Sequence, residues 1–355
     1  MLEAVFASYT RHSHRSTVGC PARRSISWRV LITWTILFVL WTSVASRAAE
    51  PLVVEGNYFD TFKRQNSAAP KPGKHVKACV VLKFFGTPYD QLLALGIHSL
   101  AEYHGLTIEY QAGSSDSDQE GQRSKLEGML DRGCTALLVE SQTDTSLDSS
   151  LTKAHTRGVA LVAVGEPIKY GIPYVGPDHY ENGAMAARYF LDKLHAQASI
   201  GLLLQGSNVP SASRAAQGFA ATIAAGAAGR MHLVGPEYCG EDLQSAIQSA
   251  TAMLKKQPGL SGIFCTNDIL ALGAVQAVKH SARADRVLIV SVGGGEEAYE
   301  ALTAGKISAL IDTFPVETGA AALDILFRRV AGRKTPPTLF TRSVLVLGGE
   351  KKSSP

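Results

Sequence analysis

The chain has 355 residues, 45% hydrophobic and 19% charged, which is ordinary globular content with enough apolar material for two domain cores. Its net charge of +4 belongs to the N-terminus, because residues 1–48 hold six Arg and one Glu and no Lys or Asp. The remainder carries 29 Lys and Arg against 30 Asp and Glu, a net charge of about -1, and no basic stripe, which excludes nucleic acid as a partner.

Arg23, Arg24 and Arg29 precede an uncharged run from Val30 to Ala45, and Ser46-Arg47-Ala48 puts small residues at -3 and -1 of a cleavage point. The pattern predicts a signal peptide over 1–48 and export of the rest. The run falls short of the ~20 apolar residues of a spanning helix. It is long for a leader, however, so an uncleaved signal anchor is the alternative. Ser25-Ile26-Ser27 fits a twin-arginine signal poorly, and no Cys follows the run as a lipoprotein would require.

Residues 49–75 lack periodicity and carry Asn57, Ser67, Pro70, Pro72 and Gly73, which predicts an extended arm or linker. From Val76 on, strands are expected over 76–85, 106–111, 134–140 and 159–164. Helices fall between them over 89–104, 118–132 and 146–157, each followed by a glycine (Gly105, Gly133, Gly158). A helix over 178–196, after Tyr174-Val175-Gly176, leads to a second set. Its strands are expected over 200–205, 231–237, 262–265 and 287–292, and its helices over 211–225, 241–256, 268–280 and 296–304. The tail adds a strand over 306–312, a helix over 315–331 and a last strand over 339–347. This alternation predicts an α/β fold of two Rossmann-like lobes with parallel sheets covered on both faces. The first lobe takes 76–176 plus 314–341, and the second 177–313 plus 342–349. Three segments then cross between them, near Gly176, Thr313 and Arg342. Ligands of such sheets bind beyond the carboxyl ends of the strands, so the site is expected between the lobes.

Nothing in the sequence supports catalysis. There is no H-E-x-x-H, no G-x-S-x-G and no Walker lysine, and Gly293-Gly294-Gly295 lacks the G-x-G-x-x-G spacing of a phosphate cradle. No enzyme activity, cofactor or metal is expected. Four cysteines lie beyond the leader, with no C-x-x-C pattern. Cys79 and Cys134 sit near the starts of strands expected to be neighbours, so a bridge between them is open, with buried free thiols as the alternative.

Val81-Leu82-Lys83-Phe84-Phe85-Gly86-Thr87-Pro88-Tyr89 resembles the first-strand loop of the ribose-type periplasmic sugar-binding proteins. Phe264-Cys265-Thr266-Asn267-Asp268-Ile269-Leu270-Ala271-Leu272-Gly273-Ala274 is similar to that family's N-D-x-x-A-x-G-A signature. Ser213-Arg214-Ala215-Ala216-Gln217-Gly218-Phe219 and Ala304-Gly305-Lys306-Ile307-Ser308-Ala309 resemble two further family motifs. The resemblance spans 76–347 and implies the type I periplasmic binding protein fold, in the periplasm. LacI-type sensing domains share these motifs, but an export leader stands here in place of DNA-binding helices.

The resemblance implies a cleft hydrogen-bonding role for Asn267, helix capping for Asp268, and wall positions for Thr87 and Tyr89. Arg214 would reach the ligand, although it stands one position off the family spacing. The strand-end rule adds Lys83, Glu140 and Glu166, and Phe84 and Tyr238 are candidates for aromatic walls. Gly165-Glu166, Gly293 and Thr313 stand where sugar binders carry Asp-Arg, Asp and Gln. Most of the bidentate clamp for vicinal hydroxyls is therefore missing. The expected ligand is a small polar, carbohydrate-like molecule but not a simple aldose; a modified sugar, a small zwitterion or an amine oxide fits. The implied partner is a membrane permease of ABC-type import, with the free protein monomeric. The arm, the placement of Cys79 and Cys134, and the ending Pro336-Pro337…Leu345-Val346-Leu347 also resemble the TorT-like periplasmic sensors of trimethylamine-N-oxide respiration. That second resemblance implies a sensor histidine kinase as partner instead.

Overall fold

The computed structural model describes residues 54–56, 71, 73, 75–115, 117–240, 242–281 and 286–348; the expected signal peptide and most of the arm lie outside the described residues. β1 (Val54–Gly56) comes first. The next elements are β2 (Ala78–Leu82), α1 (Pro88–Tyr103), β3 (Glu109–Ala112), α2 (Gln119–Asp131), β4 (Ala136–Val139), α3 (Asp148–Thr156), β5 (Ala160–Val164) and β6 (Tyr174–Pro177). α4 (His179–Lys193) leads to β7 (Ala198–Gln205), α5 (Pro210–Gly226), β8 (Met231–Cys239), α6 (Leu243–Lys256) and β9 (Leu260–Cys265). Then come α7 (Asp268–Lys279), β10 (Leu288–Gly293), α8 (Glu296–Thr303), β11 (Ala309–Asp312), α9 (Pro315–Val330), β12 (Thr338–Thr341) and β13 (Ser343–Leu347).

The strands form two sheets. One has the order β12-β6-β5-β4-β2-β3 and is parallel throughout. The other has the order β1-β13-β11-β10-β9-β7-β8, in which β13 runs antiparallel to both its neighbours, β1 and β11, and the other pairs are parallel. Central strands such as Ala136-Leu137-Leu138-Val139 are buried at every position, as strands covered by helices on both faces must be. In the second lobe, Phe219 stacks on Phe264 with ring centres 4.7 Å apart, and Phe190 meets Phe219 edge-on at 5.8 Å.

In each lobe a pair of helices comes into close backbone contact. A Cβ on Gly96 of α1 would lie 1.9 Å from the Val316 carbonyl oxygen of α9, and one on Gly218 of α5 would lie 1.9 Å from that of Tyr180 in α4. Larger residues there would force the helices apart. The pairing fixes where the N-termini of α1 and α5 stand, and these termini border the site.

Two elements differ from the expectation. The last strand, expected over 339–347, is divided at Arg342: Thr341 ends β12 in one sheet and Ser343 begins β13 in the other. One residue suffices for the crossing, so the apolar alternation runs through it. The Arg342 guanidinium covers the Phe314 ring at 4.1 Å. Within the arm, Val54–Gly56 pairs with β13 as an edge strand instead of standing free.

Cys79 and Cys134 are joined by a disulfide with Cα atoms 6.1 Å apart, while Cys239 and Cys265 are buried free thiols. The bridge closes a loop with a sequence separation of 55. Loop-closure entropy gives such a bond about 4 kcal/mol. A Cys79→Ala/Cys134→Ala variant is accordingly expected to unfold at a clearly lower urea midpoint, and an unchanged midpoint would show that the bond adds nothing.

Candidate functional site

The segments that follow β2, β5, β6, β7, β9, β10 and β11 line one cavity between the lobes, of about 70 Å³. The first lobe contributes Lys83, Thr87, Pro88, Tyr89, Gly165 and Glu166. The second contributes Gln205, Ser211, Ala215, Thr266, Asn267, Asp268, Ile269, Val292 and Gly293, and the crossings add Pro177, His179 and Thr313.

Glu166 touches both lobes. Its Oε1 lies 3.4 Å from Lys83 Nζ. Ser211, at the start of α5, donates its hydroxyl to Oε1 at 2.6 Å and its backbone N–H to Oε2 at 3.0 Å. Pro88 at the start of α1 stands close to Gly295 across the cleft, where a Cβ would lie 3.0 Å from the proline Cβ. The lobes are closed on one another.

The first-lobe floor is buried and acidic. Thr87 caps α1, accepting from Asp90 N–H at 3.1 Å and donating its hydroxyl to Asp90 Oδ2 at 2.6 Å. Burial holds the Asp90 carboxyl up at about 6 against the pull of Lys83. Glu140, at the end of β4, is fully buried and accepts a long 3.4 Å bond from Lys83 N–H. Burial, reinforced by the charge of Asp90, pushes its carboxyl well above the usual range. Glu140 Oε1, Asp90 Oδ1 and Tyr89 Oη have no hydrogen-bond partner. Beside them, His179 Nε2 lies 2.9 Å from the Gly165 carbonyl oxygen, and burial lowers its basicity.

The second-lobe wall is polar and satisfied. Asn267 caps α7, accepting from Leu270 N–H at 2.9 Å, and donates to Gln205 Oε1 at 3.2 Å. Asp268, expected to cap its own helix, instead accepts from Gly294 N–H at 3.0 Å, Gly295 N–H at 2.8 Å and the Ser291 hydroxyl at 2.8 Å. It therefore holds the glycine turn ahead of α8, and burial raises it to about 6 despite those donors. A Cβ on Gly293 would lie 2.2 Å from Asp268 Oδ2, so no larger residue fits without displacing the carboxylate. Thr313 donates its hydroxyl to the Gly293 carbonyl at 2.9 Å.

Of the residues singled out from sequence, Lys83, Thr87, Tyr89, Glu166, Asn267, Gly293 and Thr313 line the cavity. Glu140 lies directly behind Gly165, its Oε1 2.9 Å from where a Cβ there would stand. Three others lie outside the lining. The Phe84 ring folds over Gly86, and Tyr238 is 51% exposed at the end of edge strand β8. Arg214 lines an adjoining, more open groove that is also bounded by both lobes and shares Pro177 and His179 with the cavity. It covers Tyr180 at 5.9 Å, while its neighbour Ala215 takes the cavity position. One residue along a helix turns a side chain by about 100°. Asp90, His179, Gln205 and Ser211 were not anticipated; the acid three residues after a Thr-Pro helix start was a readable signal for Asp90.

Asp90 and Asp268 ionise normally at 3.8 but near 6 in the fold, and Glu140 is raised too. These three groups thus bind more protons in the fold than in the unfolded chain between about pH 4 and 6. Their contribution to stability falls as pH rises through that window, outweighing the opposite contribution of the lowered His179. Urea midpoints of the ligand-free protein are expected to be higher at pH 5 than at pH 7, with a shallower slope in Asp90→Asn. A midpoint that rises from pH 5 to 7 would contradict the assignment.

Residues 78–334 match the family model described as "Periplasmic binding protein domain". The D-allose-binding periplasmic protein of Escherichia coli (strain K12) is 27% identical over 256 residues, covering 70% of this chain and 82% of that protein. The D-ribose/D-allose-binding protein of Pseudomonas aeruginosa is 26% identical over 272 residues, covering 70% and 84%. Among solved structures, an ABC transporter periplasmic solute binding protein from Actinobacillus succinogenes 130z, with bound D-allose, superposes with a TM-score of 0.72. It is 21% identical and covers 76% of this chain and 97% of that one. With the family model spanning both lobes, the chain belongs to the periplasmic binding protein domain family.

Proposed function

We propose that the chain is an exported periplasmic binding protein that closes its lobes on a small polar, carbohydrate-like ligand and delivers it to an ABC-type permease. The observation that carries this reading is the convergence of polar strand-end groups from both lobes on one cavity. Gln205, Thr266, Asn267 and Thr313 offer neutral donors and acceptors suited to hydroxyls, and Lys83 and Glu166 add charge opposite them. The names of the relatives, binders of D-allose and D-ribose, support the ligand class. Their periplasmic setting and the leader expected over 1–48 support export. The sensor alternative rests on the resemblance of the arm, of the placement of Cys79 and Cys134, and of the tail.

Ligand would enter with the lobes apart and close them by rotation at the three crossings, the expected response of two lobes joined by short segments. Glu166 and Ser211 meet only in the closed form, so their contact helps to hold it. Glu166→Ala is expected to give a larger radius of gyration in scattering from the ligand-free protein; an unchanged radius would remove Glu166 from closure.

A ligand at a hundred times its dissociation constant stabilises the fold by about 2.7 kcal/mol, visible as a rise in melting temperature. A screen of sugars, polyols, amino sugars, amino acids and methylamines is expected to yield such a rise with a polyhydroxy compound. Gln205→Ala should weaken that binding about tenfold, the worth of one hydrogen bond of roughly 1–1.5 kcal/mol. A response confined to amino acids or methylamines would sink the carbohydrate reading.

A further inference from the structure

Two of the three crossings are fastened to one another. Phe314 stands in the second, between β11 and α9, and Arg342 makes the third, between β12 and β13. The Arg342 guanidinium lies over the Phe314 ring at 4.1 Å, and its Nη1 comes within 4.0 Å of Glu317 on the first turn of α9. Beside them the hydroxyls of Thr318 and Thr341 are 2.8 Å apart. These contacts tie the start of α9 to the end of β12, so the two crossings turn as one piece.

The backbone of Phe314 is strained. It has φ +48° and ψ +62°, in the left-handed region, which among the described non-glycine residues only Ala228 matches in the sign of φ. A bulky residue there is an outlier, and Pro315 follows, which normally pushes the residue before it to extended backbone. The Phe314 N–H donates to Asp312 Oδ1 at 2.8 Å, and the Tyr299 hydroxyl donates to Asp312 Oδ2 at 2.5 Å, so the turn is held from the second lobe as well. By contrast Asp178, in the first crossing, has ordinary extended backbone with φ -76° and ψ 94°. Strain of this kind persists only where the surroundings impose it. Here it falls on a residue at the end of an element inside a crossing, the kind of position that absorbs the dihedral change of a hinge.

We infer that the left-handed turn at Phe314 belongs to the closed form: closing the lobes turns residue 314 into it, Arg342 braces it there, and opening releases it. Its cost opposes closure in the empty protein, against the Glu166–Ser211 contact that favours closure, and ligand supplies the difference. Phe314 and Arg342 thereby set affinity from outside the cavity, since neither lines it. The inference rests on the two-lobed binding-protein reading above and is independent of the ligand class. A turn that served only as a fixed start to α9 would be equally strained in the open form and would leave the equilibrium alone.

Small-angle scattering of the ligand-free protein tests this with two substitutions that both remove the ring: Phe314→Gly takes positive φ freely, and Phe314→Ala does not. They are compared in the wild-type chain and in the Glu166→Ala chain, where the contact with Ser211 is gone. In at least one of the two chains the glycine form should have the smaller radius of gyration, from a shift of about tenfold in the closed-to-open ratio. Arg342→Ala, which keeps Phe314 and loses its brace, should have a larger radius than its parent; a radius no larger overturns the role of Arg342. Where Glu166→Ala itself has expanded, equal radii for the glycine and alanine forms, or a larger one for glycine, overturn the inference alone. A higher urea midpoint for glycine would then mark a turn kept in both forms. The wild-type radius in every variant means a cleft that does not open, which sinks the two-state reading and this inference together.

Discussion

Glu166 stands two residues beyond the end of β5, so its side chain leaves the first lobe where the two lobes meet. A carboxylate enclosed there without partners would cost several kcal/mol. Lys83 supplies a countercharge from its own lobe, and Ser211 supplies two donors from the other. The second set exists only while the lobes are closed; on opening, water takes its place. Closure thus has a polar contribution independent of ligand, and the cleft behaves as a two-state element. A ligand can shift such an equilibrium only by the difference in its affinity for the two states. Groups that reach the ligand from both lobes provide that difference, which is why polar side chains on both walls matter more than any one strong contact.

That arrangement depends on where α1 and α5 begin. Gly96 and Gly319 bring α1 against α9, while Gly183 and Gly218 bring α4 against α5, with backbone carbonyls where side chains would otherwise stand. A close-packed interior transmits such constraints instead of absorbing them. Ser211 and Ala215 lie on the first two turns of α5, so the glycine contacts near the middle of that helix set how near Ser211 comes to Glu166. Changes at Gly218 would be felt in the cleft through displacement of the helix start, without any direct contact with ligand.

Much of the fold was legible because buried parallel strands give unbroken apolar runs, and helices ending in left-handed glycines mark their own limits. Gly105, Gly133 and Gly158 all have positive φ. A crossing was expected near Arg342, but the break of the last strand into two was not legible, because a strand that changes sheets keeps its alternation. At the site, position after a strand was enough to direct Lys83 and Glu166 to the cavity that they line, whereas Glu140 lies behind Gly165. Position alone was not enough on helices, where Arg214 and Ala215 differ by the rotation of one residue. Ser211 and Gln205 escaped notice for another reason: each matters through a partner distant in sequence, Glu166 for the first and Asn267 for the second. Asp268 was read by local rules, yet its carboxylate serves the turn after β10, which only the adjacency of β9 and β10 makes near.

The unpaired oxygens stand out against this background. Elsewhere the cleft is satisfied with care: Asp268 has three donors, Asn267 uses both ends of its amide, and Glu166 is held from two lobes. Sequences are locally consistent except where function demands otherwise. Glu140 is the sharpest exception, a fully buried acid at the end of a central strand with one oxygen unpaired. In the ligand-free closed form a proton relieves its burial, which is what the upward shift of its carboxyl means.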